Sequence, residues 1–446
     1  MTLTDKKLKI VAFVPAKGES SRVPSKNTRI LDGDLLFRRK LRQLLRCPMI
    51  DEVWLDTESE EIISLAEGLS VKILKRDPTL ATNATDGHEM FANECSASPD
   101  ADIVIQALCT APFLDEGGIS RAINELLAHP ECDSLVATRK VRQYTWEDRK
   151  PNYGTGRIPN SSDLKQTTLE CMSLYMVRRT SESFEKRRFG TSPLLFELAE
   201  IEDLDINYEA DLELAETICL GRRMKEFNYF RLIKHHLSSS IISDVSKEMG
   251  YSFMLDSALR EISAGKILGR VKTLRLGGLR ENERNINESD AWKGIYRALQ
   301  SYSFVRTGDV IVVENEVPSR AYFGDLNCHL AIRAGAVGVL VDGFTRDVSH
   351  VKAMGMPVYA RGAWSNDIKY EGTTISYNLP ITVGGVRASN DDVIYADAEG
   401  VLIVPQDIWP EVLERSLQAV SNESGIRTKL INGAAIGEII DEHGFF

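Results

Sequence analysis

No run of apolar residues in this sequence is long enough to cross a bilayer as a helix. The seven cysteines (Cys47, Cys95, Cys109, Cys132, Cys171, Cys219 and Cys328) are odd in number, scattered, and never spaced C-x-x-C. That argues against a disulfide framework and against a zinc site. Cationic excess is also missing. With 54 Lys and Arg against 65 Asp and Glu the net charge is −11, which excludes nucleic-acid or anionic-membrane binding through bulk charge and leaves room only for local cationic pockets. Internal repeats and low-complexity tracts are absent. The opening residues, MTLTDKKLKIVAFV, run straight from a basic start into an apolar segment and a loop, so no signal peptide is expected. A reduced, soluble, cytoplasmic protein is expected. At 446 residues, 43% hydrophobic and 27% charged, the chain has room for two or three domains, each with its own core.

What is present begins at residues 11–31, VAFVPAKGESSRVPSKNTRIL. An apolar run, Ile10 to Val14, stops at Pro15 and opens into a loop bearing Ala16, Lys17, Gly18, Ser20, Ser21 and Arg22, then Lys26 and Asn27. A buried strand ending in such a loop suits a polyphosphate: glycine lets backbone N–H groups turn to the ligand, hydroxyls add donors, and cations neutralise charge. The G-x-x-x-x-G-K-[ST] spacing of a Walker A loop is absent. The order of residues instead resembles the nucleotide-binding loop of the cytidylyltransferases that make CMP-activated sugar acids, the CMP-N-acetylneuraminate synthetases and, more distantly, the CMP-Kdo synthetases. The plain alternative is a basic surface loop after a core strand.

Up to about Arg223 the pattern alternates short apolar runs with amphipathic stretches. Strands are expected at Ile10–Val14, Glu52–Asp56, Val71–Leu74, Asp102–Gln106 and Ser134–Thr138, and helices at Leu36–Arg46, Glu60–Gly68 and Ile119–Ala128. Such alternation predicts an α/β domain with a mostly parallel, Rossmann-like sheet whose ligands gather at the carboxyl ends of the strands. Residues 211–223 read as a closing helix, and MKEFNYFRLIKHHL as a helical bridge, which places the boundary near 228 and gives domains 1–227 and 228–446. The second half opens on a capped amphipathic helix, SSSIISDVSKEMG. Its strands are KILGRVKTLRL, GDVIVVEN, GVLVDG, PVYARG, PITVGGV and ADAEGVLIVP, and its last helix is Trp409–Ser421. Short glycine-punctuated strands with few helices predict a compact α/β, swivelling-type or sandwich-like domain unrelated to the first.

The cytidylyltransferase resemblance extends over the first half through LDTESEEI, LKRDPTLATNATDGHEM and DIVIQALCTAPFL. It implies that Lys17, Ser20, Ser21 and Lys26 contact the triphosphate of CTP within a nucleotide site completed by Ala16, Gly18 and Asn27. Arg22 would be a supporting cation, and Gln106 would face the sugar acid. Lys17 stands where many members carry arginine, which keeps the charge and loses the bidentate fork. A Mg²⁺ or other divalent cation is expected in EIEDLDINYEADLELAE. Were this segment extended, Asp203, Asp205 and Asn207 would project from one face and Leu204 and Ile206 from the other. Members usually show D-x-D and then a helix-starting Asp. Aligning Asp205 and Asp211 with the first and last leaves Asn207 where a second carboxylate is common, and Asp203 substitutes in another register. The plain alternative is acidic capping of a surface helix. The implied reaction is attack by the anomeric hydroxyl of a 3-deoxy-2-keto sugar acid on the α-phosphorus of CTP, with release of pyrophosphate; no general base is evident. Arg38, Arg39, Lys40, Arg42 and Arg46 read as a solvated basic helix face. His88 reads as a loop residue near the ligand, and the adjacent His235 and His236 as no metal pair.

In the second half the informative stretch is FGDLNCHLAIRAGAVGVLVDGFTRDV, 323–348. Gly324 opens a helix whose first-turn amides, from Asp325, Leu326 and Asn327, suit a small carboxylate, and Arg346 and Asp347 follow a buried strand. This half resembles the family that joins the 4-hydroxy-4-methyl-2-oxoglutarate aldolases with the regulators of ribonuclease E activity. The resemblance implies that Gly324 to Asn327 hold the carboxylate of pyruvate or another 2-keto acid, Arg346 its keto or enolate oxygen, and Asp347 a Mg²⁺. The stretch ENEVPSR lacks the glycine-rich, aspartate-bearing segment usual in the aldolases, and Glu314 and Glu316 are the candidates in its place. Two readings stand: a CMP-sugar-acid synthetase joined to an aldolase-like lyase, or one joined to a non-catalytic oligomerisation or partner-binding module. Either way a homo-oligomer, trimer-based through the second domain, is expected.

Overall fold

The computed structural model describes residues 7–20, 22–82, 84–263, 265–279 and 294–444. The chain divides into two compact units, 1–218 and 219–446. The division falls inside one helix that also contains the boundary expected at 228, Glu209–Ile233. No helix among the described residues is long and apolar enough to cross a membrane.

The first unit is built on seven strands: β1 Ile10–Pro15, β2 Glu52–Thr57, β3 Lys72–Lys75, β4 Ile103–Ala107, β5 Ser134–Val141, β6 Thr167–Arg178 and β7 Pro193–Glu197. Their order is β7-β5-β6-β4-β1-β2-β3. β1 runs parallel to both β2 and β4, so the loops that leave these three strands emerge along one edge. Every residue of β1 and β4 is buried, as central strands covered on both faces must be. β6 runs antiparallel to β4 and β5, with a register shift between Glu170 and Tyr175. Its first residues are mostly exposed and its later ones buried, so it carries no continuous apolar signal. The helices are α1 Leu36–Leu45, α2 Glu60–Leu65, α3 Gly87–Ala97, α4 Glu116–Ala128 and α5 Glu209–Ile233, the last shared with the second unit.

Three expectations fail here for identifiable reasons. His88 is not in a loop: it occupies the first turn of α3, which Asp86 and Glu89 start with a capping box. The basic helix α1 is not a solvated face, since Arg38 and Lys40 are only 4% and 1% exposed. Asp34 pairs with Arg38 at 3.6 Å and Arg42 at 2.9 Å, while Lys40 donates to the carbonyl of Leu114 and Gln43 to that of Pro112. Burial lowers the Lys40 pKa to about 7. The acidic segment is not an extended strand either, because residues 201–203 form a turn and swing Asp203 onto Arg139 at 2.6 Å.

The second unit is the α/β alternative. Its mixed sheet contains β8 Arg260–Ser263, β9 Ile267–Gly278, β10 Asp309–Asn315, β11 Ala321–Phe323, β12 Gly338–Thr345, β13 Val358–Ala363, β14 Gly372–Tyr377, β15 Val393–Asp397 and β16 Gly400–Val404. The main order is β8-β13-β12-β10-β9-β15-β16, with β11 on β12 and β14 on β9. The helices are α6 Ser239–Glu248, α7 Asp325–Ala334, α8 Val348–Ala353, α9 Trp409–Ile431 and α10 Ile436–His443. The last two carry the helical end well past the expected Ser421. Aliphatic side chains of β9, β10, β12 and β13 fill the core on both faces of this sheet.

Candidate functional site

In the first unit a cleft of about 480 Å³ opens where β1, β3 and β4 end. It is lined by Lys17, Ser20, Arg22, Lys26 and Asn27 from the loop after β1, and by Asp205 and Asn207 from the turn before α5. The fold thus joins two segments almost 180 residues apart. Asn27 braces the loop: its side-chain amide donates to the Lys17 carbonyl at 2.8 Å and its oxygen accepts from the Cys109 thiol at 3.2 Å. The Gly18 amide donates to Glu58 at 2.7 Å. Lys26 donates to the carbonyl of Ile206 at 2.9 Å, tying the loop after β1 to the acidic turn, and burial lowers its pKa. Arg22 lies 6.0 Å from the ring centre of Tyr208. Ser21 lies outside the described residues.

Asp205 accepts from the Asn207 side-chain amide through one oxygen at 2.6 Å, and its other oxygen is buried without a partner. Asp211 stands back from the cleft and accepts from the backbone amides of Asn207 and Tyr208, both at 2.8 Å. Asp205 and Asn207 therefore stay at the cleft, whereas Asp203 and Asp211 are engaged elsewhere. A buried carboxylate oxygen lacking any donor, beside a second oxygen-bearing side chain, fits a hard cation that draws its remaining ligands from phosphate and water. Among the described residues no three His, Cys, Asp or Glu side chains gather into a metal-like cluster, so such a cation would lean on those outside oxygens.

Gln106 does not line the cleft. It is fully buried and donates to Glu94 at 2.6 Å, within a set completed by Asp56 and Arg76. Arg76 donates through Nε to Asp56 at 2.9 Å and lines the cleft from this anchored position. Burial, reinforced by the neighbouring Asp56 carboxylate, raises the Glu94 pKa well above the usual range, so one proton stays in the set. Arg76, Met90, Cys109, Thr110, Met172 and Arg188 also line the cleft and carry no local signal in the sequence, because separate elements deliver them.

In the second unit a cavity of about 380 Å³ is bounded by the first turn of α7 (Gly324, Asp325, Leu326, Asn327) and by Arg346, Asp367, Lys369 and apolar residues including Ile295 and Leu299. β11 and β12 pair side by side, which brings the start of α7 to the segment after β12. Arg346 meets Asp347 at 3.5 Å and Asp367 at 2.7 Å. Asp347 also accepts the Asp325 amide at 3.3 Å, and a side chain at position 324 would come within 2.6 Å of its carboxylate, so the approach needs glycine. Glu314 and Glu316 are not at this cavity. Both pair with Arg275, and Glu314 also accepts the Thr382 amide at 3.2 Å.

Two family models match the chain, one described as Cytidylyltransferase over residues 11–199 and one as Aldolase/RraA over residues 239–403. The first half resembles the cytidylyltransferases, the second the Aldolase/RraA proteins. The N-acylneuraminate cytidylyltransferase of Oncorhynchus mykiss is 22% identical over 246 residues, 53% of this chain and 55% of its own length. The 3-deoxy-manno-octulosonate cytidylyltransferase of Chlorobium limicola is 32% identical over 128 residues, 28% of this chain and 50% of its own. The putative 4-hydroxy-4-methyl-2-oxoglutarate aldolase of Halalkalibacterium halodurans is 36% identical over 110 residues, 24% of this chain and 52% of its own. The chain thus spans about half the length of each of these relatives. Among solved structures, Streptomyces coelicolor RraAS2 is 24% identical with a TM-score of 0.38, covering 43% of this chain and 91% of its own. A CMP:2-keto-3-deoxy-manno-octonic acid synthetase complexed with CTP is 14% identical with a TM-score of 0.35, covering 47% and 98%. Gln106, Glu314 and Glu316, placed at ligands by position in the sequence, sit on neighbouring side chains instead.

Proposed function

We propose that the first unit is a CTP-dependent cytidylyltransferase that activates a 3-deoxy-2-keto sugar acid. The acid's anomeric oxygen forms a bond to the α-phosphorus, the bond to the β-phosphate bridging oxygen breaks, pyrophosphate leaves, and the hydroxyl proton passes to solvent. The observation that carries this reading is the meeting in one cleft of the loop cations Lys17, Arg22 and Lys26 with Asp205, whose buried oxygen has no partner. The cations are placed to neutralise a triphosphate, and Asn27 holds the loop in shape for it. Asp205 and Asn207 would hold a divalent cation, which when bound supplies charge neutralisation at the departing phosphates. The test is pyrophosphate release from the full chain with CTP, Mg²⁺ and a panel of 3-deoxy-2-ulosonic acids. Release with one acid, lost in Asp205→Ala, supports the reading; absence of CTP binding overturns it.

For the second unit we propose a 2-keto-acid site at the first turn of α7, with Arg346 facing the keto oxygen and Asp347 a divalent cation. A second reading, a non-catalytic assembly module, is favoured by the pairing of Arg346 with two carboxylates. Pyruvate binding and lyase turnover that both disappear in Arg346→Ala support the first reading. A full chain that forms trimers and neither binds pyruvate nor cleaves a 4-hydroxy-2-keto acid supports the second.

A further inference from the structure

Asp56 of β2, Arg76 just after β3, Glu94 of α3 and Gln106 of β4 meet beside the first-unit cleft, each at most 3% exposed. Their contacts decide where the protons are. The Gln106 amide donates to Oε2 of Glu94 at 2.6 Å. Glu94 is also a hydrogen-bond neighbour of the Asp56 carboxylate, and its second oxygen, Oε1, meets no donor. Asp56 is taken by Arg76, whose Nε and Nη2 each lie 2.9 Å from one of its oxygens. Two ionised carboxylates touching in a buried site repel strongly, so the contact holds only with a proton between them. That proton sits on Glu94, because Asp56 already balances the guanidinium.

The contacts continue to the loop after β1. Nη1 of Arg76 lies 3.9 Å from Oε2 of Glu58, and Oε1 of Glu58 accepts the Gly18 amide at 2.7 Å. A single guanidinium therefore stands between Asp56 and Glu58, and Arg76 itself lines the cleft. Asp56 and Arg76 are the charged groups that bear most on Glu94. β4 offers it only the Gln106 amide, and its own helix the Cys95 thiol, which burial pushes up to about 12. Burial and the Asp56 carboxylate both favour the protonated form of Glu94.

We infer that Glu94 is a positioning residue for the nucleotide loop: as a neutral acid it steadies Asp56, and through Arg76 and Glu58 it holds the Gly18 end of the loop. A protonated carboxyl can donate to Asp56 while accepting from Gln106, which an ionised one cannot. Once ionised, Glu94 adds a second negative charge on the Asp56 side of Arg76. The guanidinium is then drawn away from Glu58, and the brace on Gly18 loosens. This rests on the cytidylyltransferase reading, which makes CTP the ligand of the loop.

The test uses the full chain as wild type, Glu94→Gln and Glu94→Ala, with Mg²⁺ present. CTP affinity is measured by titration calorimetry from about pH 6 to 10, and KM for CTP and for the acceptor at each end of that range. Wild-type affinity should hold while Glu94 keeps its proton and fall by about tenfold as pH rises through its folded pKa, with KM for the acceptor unchanged. Glu94→Gln, which both donates and accepts but cannot ionise, should lack that fall. Glu94→Ala should bind CTP about tenfold more weakly at pH 6, a loss that Glu94→Gln restores. The same alkaline fall in Glu94→Gln as in wild type would overturn the inference, as would a wild-type affinity that is flat across the range. Equal losses in the KM of CTP and of the acceptor would reduce Glu94 to a support of the fold and overturn it too. In each of these cases CTP still binds and the cytidylyltransferase reading stands; a wild type that binds no CTP at any pH removes both. Should Glu94→Ala fail to fold, the comparison of wild type with Glu94→Gln decides alone.

Discussion

The buried set Asp56, Arg76, Glu94 and Gln106 makes a prediction about which of its two acids carries charge. Asp56 and Glu94 are both fully buried, and one guanidinium faces them. Asp56 receives Arg76 at 2.9 Å, so it holds the negative charge, and Glu94 is the neutral acid. Asp56→Asn leaves the Arg76 guanidinium buried without its carboxylate and should cost about 3–5 kcal/mol. Glu94→Gln replaces a neutral acid by a neutral amide that can still accept from Gln106, and should cost under about 1 kcal/mol at pH 6. The pH dependence follows with a definite sign. A carboxyl whose folded pKa is raised keeps its proton where the unfolded chain has lost it, so stability falls as pH rises from the unfolded pKa toward the folded one. Wild type should therefore lose up to about 1.4 kcal/mol per pH unit relative to Glu94→Gln above roughly pH 4.5. Calorimetric unfolding across pH 5 to 8 measures this, with the first unit's transition identified by its shift on adding CTP. A larger cost for Glu94→Gln than for Asp56→Asn, or a wild type that gains on Glu94→Gln with rising pH, would refute the assignment.

Asp205→Ala should abolish pyrophosphate release while leaving the unfolding temperature within a few degrees, because its buried oxygen makes no contact that the fold needs. Lys40, with its pKa lowered to about 7, stays neutral in the fold where the unfolded chain is protonated. Stability should hence rise with pH by up to about 1.4 kcal/mol per unit between roughly pH 7 and 10 and level off below 7. In Lys40→Met that slope should vanish in denaturant titrations, and its persistence would reassign the titration to another group.

Much of the sheet was legible because its central strands, such as Ile10–Pro15 and Ile103–Ala107, are apolar apart from Gln106 and are followed by turn residues. That Lys17, Ser20, Arg22, Lys26 and Asn27 share one cleft was legible for a related reason: they lie within eleven residues of one loop. β6 was not, since the polar start of Thr167–Arg178 hides a strand that is continuously buried only from Ser173 to Val177. α3 carried a readable capping box in Asp86 and Glu89, obscured by the polar run before it. Arg76 could not be assigned from sequence, because its role depends on which carboxylate is near, and that is a tertiary fact. Lys40 was misread for the mirror reason: a charged residue on a helix is ordinarily solvated, and the carbonyl that retains it belongs to a loop 74 residues away.

The hydrogen bond from Gly18 to Glu58 bears on how the cleft empties. A loop that grips phosphate through backbone amides would, on losing its ligand, expose them to refilling by any passing anion. Here the protein supplies its own resident acceptor, one residue from the start of the cap of α2. On the proposed reaction, an arriving phosphate oxygen would have to compete with a carboxylate for the Gly18 amide, and a departing one would leave that donor satisfied. The exchange would weaken the hold on substrate and product alike, and would ease the release of pyrophosphate.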